Sequence, residues 1–109
     1  MNKKNIKRYN NEEDQGVITK VRKSLKKPNM FAVLLINDDY TPMEFVIYIL
    51  QNIFNKSYEE SKNIMLHVHQ KGIGVCGLYP FDIAESKANQ VIEQARANEH
   101  PLQCKIKKA

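Results

Sequence analysis

The sequence predicts one α+β domain, a two-layer sandwich in which three strands carry three helices on one face in the order β-α-α-β-α-β. Three observations predict it. Residues 31–36 form an uninterrupted apolar run, the mark of a strand that is central in its sheet or covered on both sides. Three later segments repeat apolar residues at three- and four-residue spacing, each behind an N-capping pattern. Near the end, Leu102, Cys104 and Ile106 alternate with Gln103, Lys105 and Lys107, the period of a half-exposed strand. A chain of 109 residues is long enough for one such domain and too short for two.

Taken in order, residues 1–28 hold few apolar groups and are expected to be a flexible basic extension, with a short transient helix where Val17, Ile18, Val21 and Leu25 share a face. Residues 29–109 are expected to be the folded domain. The first strand runs from Met30 to Ile36. Thr41 is then expected to cap the first helix, with Pro42 in the first helical position and Glu44 three after the cap. Val46, Ile49, Leu50, Ile53 and Phe54 form that helix's inward face. Ser57 and Glu60 make a second capping box. The helix behind it buries Ile64, Met65 and Val68, borders that face with His69, and stops at Lys71-Gly72. Ile73 to Tyr79 reads as the second strand. Gly74 and Gly77 weaken it and point to a close backbone approach or a bulge. Pro80 breaks the chain, and Asp82 is expected to cap a third helix with Glu85 three later. Ala84, Ala88, Val91, Ile92 and Ala95 give this helix a small-residue face for close packing on a sheet, and Asn98-Glu99-His100-Pro101 ends it.

The formal charge of +5 is unevenly placed. Residues 1–27 hold nine basic and three acidic side chains, while the other 82 hold eight and nine. The folded part is therefore nearly neutral, which argues against nucleic acid as its partner. A basic extension alone supports weak, salt-sensitive contact with a polyanion. That leaves a small nucleic-acid- or ribosome-associated protein as the alternative reading. Cys76 and Cys104, with no second pair, are not a zinc pattern and are expected to be buried free thiols. No apolar stretch is long enough to span a bilayer, and the residues after Met1 lack the apolar segment of a secretory signal, so a cytoplasmic protein with no membrane contact is expected.

The chemistry concentrates between the first strand and the first helix, where Asn37, Asp38 and Asp39 stand together. A short junction held at both ends points its polar groups at a fixed spot, and two carboxylates make that spot attractive to a cation. Joined by His69, the set could bind a metal, do acid–base work or hold a cationic ligand; Asp and Asn also simply favour turns. For a metal the ligand set is thin, because His67 and His69 lie two apart on a helix and point to nearly opposite faces. No activated Ser or Cys and no glycine-rich phosphate loop is present, so neither catalysis nor a cofactor is expected. Met43 and Met65, each ordinary core on its own, would together line an adaptable apolar hole beside the junction. A small apolar hole with a negative rim suits a ligand bearing one bulky side chain and one ammonium group, such as a free peptide N-terminus. Tyr79-Pro80-Phe81-Asp82, with Glu85 and Lys87, reads as either a solvated helix start or a protein-docking patch.

The run Asn37-Asp38-Asp39-Tyr40-Thr41-Pro42-Met43-Glu44-Phe45-Val46 resembles the signature of the ClpS family. So do Met65-Leu66-His67-Val68-His69 before Lys71-Gly72, then Cys76-Gly77, Ala84-Glu85-Ser86-Lys87, and Ala97-Asn98-Glu99-His100-Pro101-Leu102. The likeness covers about residues 28–108. It implies a three-stranded antiparallel sheet with three helices on one face, similar to the C-terminal domain of the ribosomal stalk protein. It also implies a monomeric, non-enzymatic adaptor without metal or cofactor. Such adaptors bind substrates beginning with Phe, Tyr, Trp or Leu and deliver them to the N-domain of a ClpA-type or ClpC-type unfoldase of the Clp protease. By that likeness Asn37, Asp38 or Asp39, and His69 hold the α-ammonium, while Ile36, Thr41, Met43, Val46, Met65, Val68 and Leu102 line the side-chain pocket. Asp82, Glu85 and Lys87 match the region that touches the unfoldase. The basic extension matches a segment that engages the unfoldase and shifts its substrate choice.

Overall fold

The structure, a computed structural model, describes residues 29–109; the expected extension and its transient helix lie outside them. Six elements follow in the expected order: β1 (Met30–Ile36), α1 (Met43–Asn52), α2 (Tyr58–Lys71), β2 (Ile73–Pro80), α3 (Phe81–Ala97) and β3 (Gln103–Lys108). The sheet is antiparallel throughout, in the order β2-β1-β3, so the apolar first strand is the central one. Period-two geometry sends Val33 and Leu35 toward the helices, where neither is exposed, and turns Ala32, Leu34 and Ile36 to the other face. The core joins these inward residues to Ile49 and Leu50 of α1, Val68 of α2, Val91 of α3 and Leu102.

Two glycines in β2 mark two different events. The β1–β2 register shifts where Val33 pairs with Gly77 and Leu34 pairs with Val75, which leaves Cys76 as the extra residue of a bulge. At Gly74 the strand lies so close to α2 that a Cβ would stand 2.6 Å from Val68 Cγ2. Cys76 and Cys104 are buried free thiols. Burial pushes Cys104 up to about 12, and burial together with the neighbouring Cys104 pushes Cys76 up further. Neither is therefore a nucleophilic thiolate at neutral pH.

Of the three expected caps only Ser57 acts as one. Its Oγ accepts from Glu60 N at 3.1 Å, and its own N–H donates to Glu60 Oε1 at 3.0 Å. Gly72, at φ 88°, ends α2 in the left-handed conformation. Thr41 does not cap α1, which begins at Met43 with extended Pro42 in the cap position, and which ends at Asn52, short of Phe54. Asp82 does not cap α3 either; the helix starts at Phe81 behind extended Pro80, which leaves Asp82 inside the first turn. At both sites a proline with φ near its ring-imposed value leads from extended backbone into the helix without a side-chain cap.

Candidate functional site: the acidic elbow and its cavity

The chain leaves β1 at Ile36, and the N–H of Asn37 donates to Gly72 O at 2.9 Å, tying the start of the elbow to the end of α2. Asp38 then folds the elbow around itself. Its Oδ1 accepts from Tyr40 N at 2.8 Å and Thr41 N at 2.7 Å, and its Oδ2 accepts from the Thr41 hydroxyl at 2.7 Å. The Thr41 side chain thus belongs to the elbow, and the helix starts at Met43, behind Pro42. Partial burial alone would raise the Asp38 carboxyl, but these hydrogen bonds, aided by nearby His100, hold it below the ordinary aspartate value. Asp39 is exposed and makes no hydrogen bond among the described residues.

Beneath the elbow lies a cavity of about 180 Å³. Asn37, Asp38, Asp39, Thr41 and His69 form its polar side. Met43 and Val46 from α1, Met65 and Val68 from α2, and Leu102 ahead of β3 form its apolar side. Met43 is 47% exposed and stands at the mouth, whereas Leu102, at 1%, forms a deep wall. Such a volume matches one side chain; drug-sized ligands need clefts of roughly 300–1,000 Å³. The strand alternation explains one correction to the sequence expectation. Ile36 does not line the cavity, because it pairs with Ile73 and Gln103 on the sheet's outer face. His67, two residues from His69 on α2, lines a separate cleft on that face.

Asp82 and Glu85 are exposed at the start of α3. Lys87 is half-buried: its Nζ donates to Ile53 O at 2.7 Å, past the end of α1, and lies 5.3 Å from the Tyr79 ring centre and 5.8 Å from that of Phe54. Its ammonium ties the chain just past α1 to α3, an internal role that the sequence reading did not assign to it. Sequence reasoning also missed Arg96 and His100. Arg96 Nη1 donates to His100 O at 2.8 Å and Leu102 O at 3.0 Å, and the His100 ring meets the Phe45 ring edge-on, with centres 4.6 Å apart. Nothing in local periodicity marks these two, since their partners are set by a turn and a tertiary contact. Among the described residues no three His, Cys, Asp or Glu side chains converge as metal ligands, and no helix is long and apolar enough to cross a membrane.

An exposed carboxylate over a hole the size of one side chain is chemically suited to a small cationic group with an apolar appendage. Residues 26–105 match the family described as the ATP-dependent Clp protease adaptor protein ClpS. The chain belongs to that family, whose members are adaptors of the Clp protease and not enzymes. It is 54% identical over 99 residues to the Caulobacter sp. (strain K31) ATP-dependent Clp protease adapter protein ClpS, covering 91% of each chain. It is 56% identical over 93 residues to the Phenylobacterium zucineum protein of the same description, covering 85% of each. Among solved structures it is similar to Agrobacterium tumefaciens ClpS2 bound to L-phenylalaninamide, with a TM-score of 0.74 and 32% identity, over 76% of this chain and 100% of that one.

Proposed function

We propose that the cavity receives the first residue of a substrate polypeptide beginning with Phe, Tyr, Trp or Leu, and that the protein passes this substrate to a ClpA-type or ClpC-type unfoldase, modulating its choice of substrates. The observation that carries this reading is the pairing of the exposed Asp39 carboxylate with an apolar hole of about 180 Å³. L-phenylalaninamide, the ligand of the Agrobacterium relative, joins a free α-ammonium to a benzyl side chain. That is the chemistry of a peptide's first residue.

Each residue has a distinct part. Asp39 accepts a charge-assisted hydrogen bond from the α-ammonium, and the Asn37 amide oxygen and a His69 ring nitrogen take the remaining hydrogen bonds. Asp38 shapes the loop that aims them. The apolar walls take the side chain, and burying a Phe or Leu there contributes roughly 1.5–3 kcal/mol. Met43 at the mouth crowds a β-branched side chain. Exposed Asp82 and Glu85 face outward for the unfoldase.

The test is a titration with peptides beginning with free Phe, acetyl-Phe and free Val. The free Phe peptide binds, and the other two are weaker by at least about a hundredfold, a difference of about 2.7 kcal/mol. Asp39→Ala weakens the Phe peptide while leaving the melting temperature unchanged. Equal affinity for free and acetylated peptides would overturn the assignment.

A further inference from the structure

We propose that Arg96 is a positioning residue that sets which side chains the cavity accepts, by fixing the Leu102 wall against the opposite wall on α1. The proposal rests on the peptide-binding reading above. It goes beyond that reading by assigning selectivity to a residue outside the cavity.

The geometry is that of a brace. Helix α3 ends at Ala97, and the chain must reverse into β3 at Gln103 within five residues. The reversal uses Glu99 at φ 61°, a left-handed conformation that costs a non-glycine residue energy and persists only where its surroundings enforce it. The N–H of His100 returns to Ala95 O at 2.8 Å. Pro101, next along, has no N–H with which to fix the turn further. The carbonyls of His100 and Leu102 are both taken by the one guanidinium nitrogen of Arg96, from the last turn of α3. Bridging carbonyls two residues apart sets the curvature that buries Leu102 in the cavity wall. The same turn presses the His100 ring against Phe45 on α1, between Met43 and Val46 of the facing wall. A shift of the turn therefore moves both walls together.

A fixed wall discriminates by shape. Side chains long enough to reach Leu102 gain contact with it, and β-branched ones are excluded only while the walls cannot yield. Loosening the turn removes contact from Phe and relieves the crowding of Val, so the two affinities approach each other. Loss of folded protein alone would scale both affinities by one factor and leave their ratio intact.

The experiment uses the full chain with Arg96→Ala and Arg96→Lys, titrated with free Phe and free Val peptides, alongside the Leu102 methyl resonances of the ligand-free protein. Arg96 is exposed, so both variants fold. Arg96→Ala weakens the Phe peptide about tenfold and the Val peptide less than about twofold, which narrows the ratio at least about fivefold. Its Leu102 methyl signals broaden or multiply. Arg96→Lys, which offers ammonium donors without the planar fork, restores Phe affinity to within about threefold of wild type. An unchanged ratio in Arg96→Ala, or equal loss for both peptides, overturns the proposal. The pocket reading survives that result as long as wild type still separates free from acetylated Phe. A wild type that fails this separation brings down both.

Discussion

Asp38 and Asp39 are adjacent and chemically identical, yet the fold gives their carboxylates different surroundings. Asp38 turns both oxygens onto Tyr40 and Thr41, while Asp39 leaves its carboxylate at the cavity mouth. Sequence alone named the pair and left the choice between them open, because the distinction depends on how the loop curls. Asp38→Ala removes three hydrogen bonds at a half-exposed site and is expected to cost about 1–2 kcal/mol, read as a lower melting temperature. It also weakens peptide binding, in contrast to Asp39→Ala, which weakens binding alone. The Asp38 carboxyl lies below its ordinary value when folded, so its contribution is present above the unfolded aspartate value of about 3.9 and is lost as pH falls through the folded one. The melting-temperature gap between wild type and Asp38→Asn should accordingly be constant above about pH 5 and shrink in acid. A gap independent of pH would show that the carboxylate's charge has no part in holding the loop.

At the level of whole elements, legibility tracked how local each signal is. The Ser57–Glu60 box and the Gly72 stop are contained within one turn of backbone, and both stand where the sequence placed them. Thr41 and Asp82 carry the same residue pattern and fail as caps, because a nearby proline, Pro42 in one case and Pro80 in the other, sets the entry into the helix. Gly74 and Gly77 were legible as a close approach or a bulge, but not which was which, nor the neighbour at Gly74: Val68, itself a cavity residue, occupies the space a Cβ would need. Gly74→Ala should therefore push β2 and α2 apart, cost about 1–3 kcal/mol and weaken Phe-peptide binding together. Thermal denaturation and titration of that one variant check both halves, and a wild-type melting temperature would sink the argument. Lys87→Ala should also destabilise, since the ammonium engages the carbonyl of Ile53 and two rings. A delivery defect in that variant must be corrected for its folded fraction before it is ascribed to lost unfoldase contact.

For the molecule as a whole, all helices pack on one side of a three-stranded sheet, and the cavity sits where β1, α1, α2 and the turn before β3 meet. Every lining residue belongs to the span 37–102. Deleting residues 1–27 should consequently leave Phe-peptide affinity unchanged, while removing the net +6 of that segment should abolish salt-sensitive binding to a polyanion such as heparin. Peptide affinity lost with the deletion would refute the division into extension and domain. Peptide affinity retained would count against nucleic acid as the main ligand.

By itself the sequence determined the order and kind of every element, the negative elbow at residues 37–39 and the likeness to the ClpS family. These are written in patterns spanning a strand, a helical turn or a contiguous motif. Only the tertiary structure decided that Asp38 turns its carboxylate onto Tyr40 and Thr41, that Ile36 turns away from the cavity, that Lys87 reaches back 34 residues to Ile53, and that Arg96 bonds the carbonyls of the turn before β3. The direction of a side chain depends on strand register and on partners distant along the chain, and a local pattern carries no record of either.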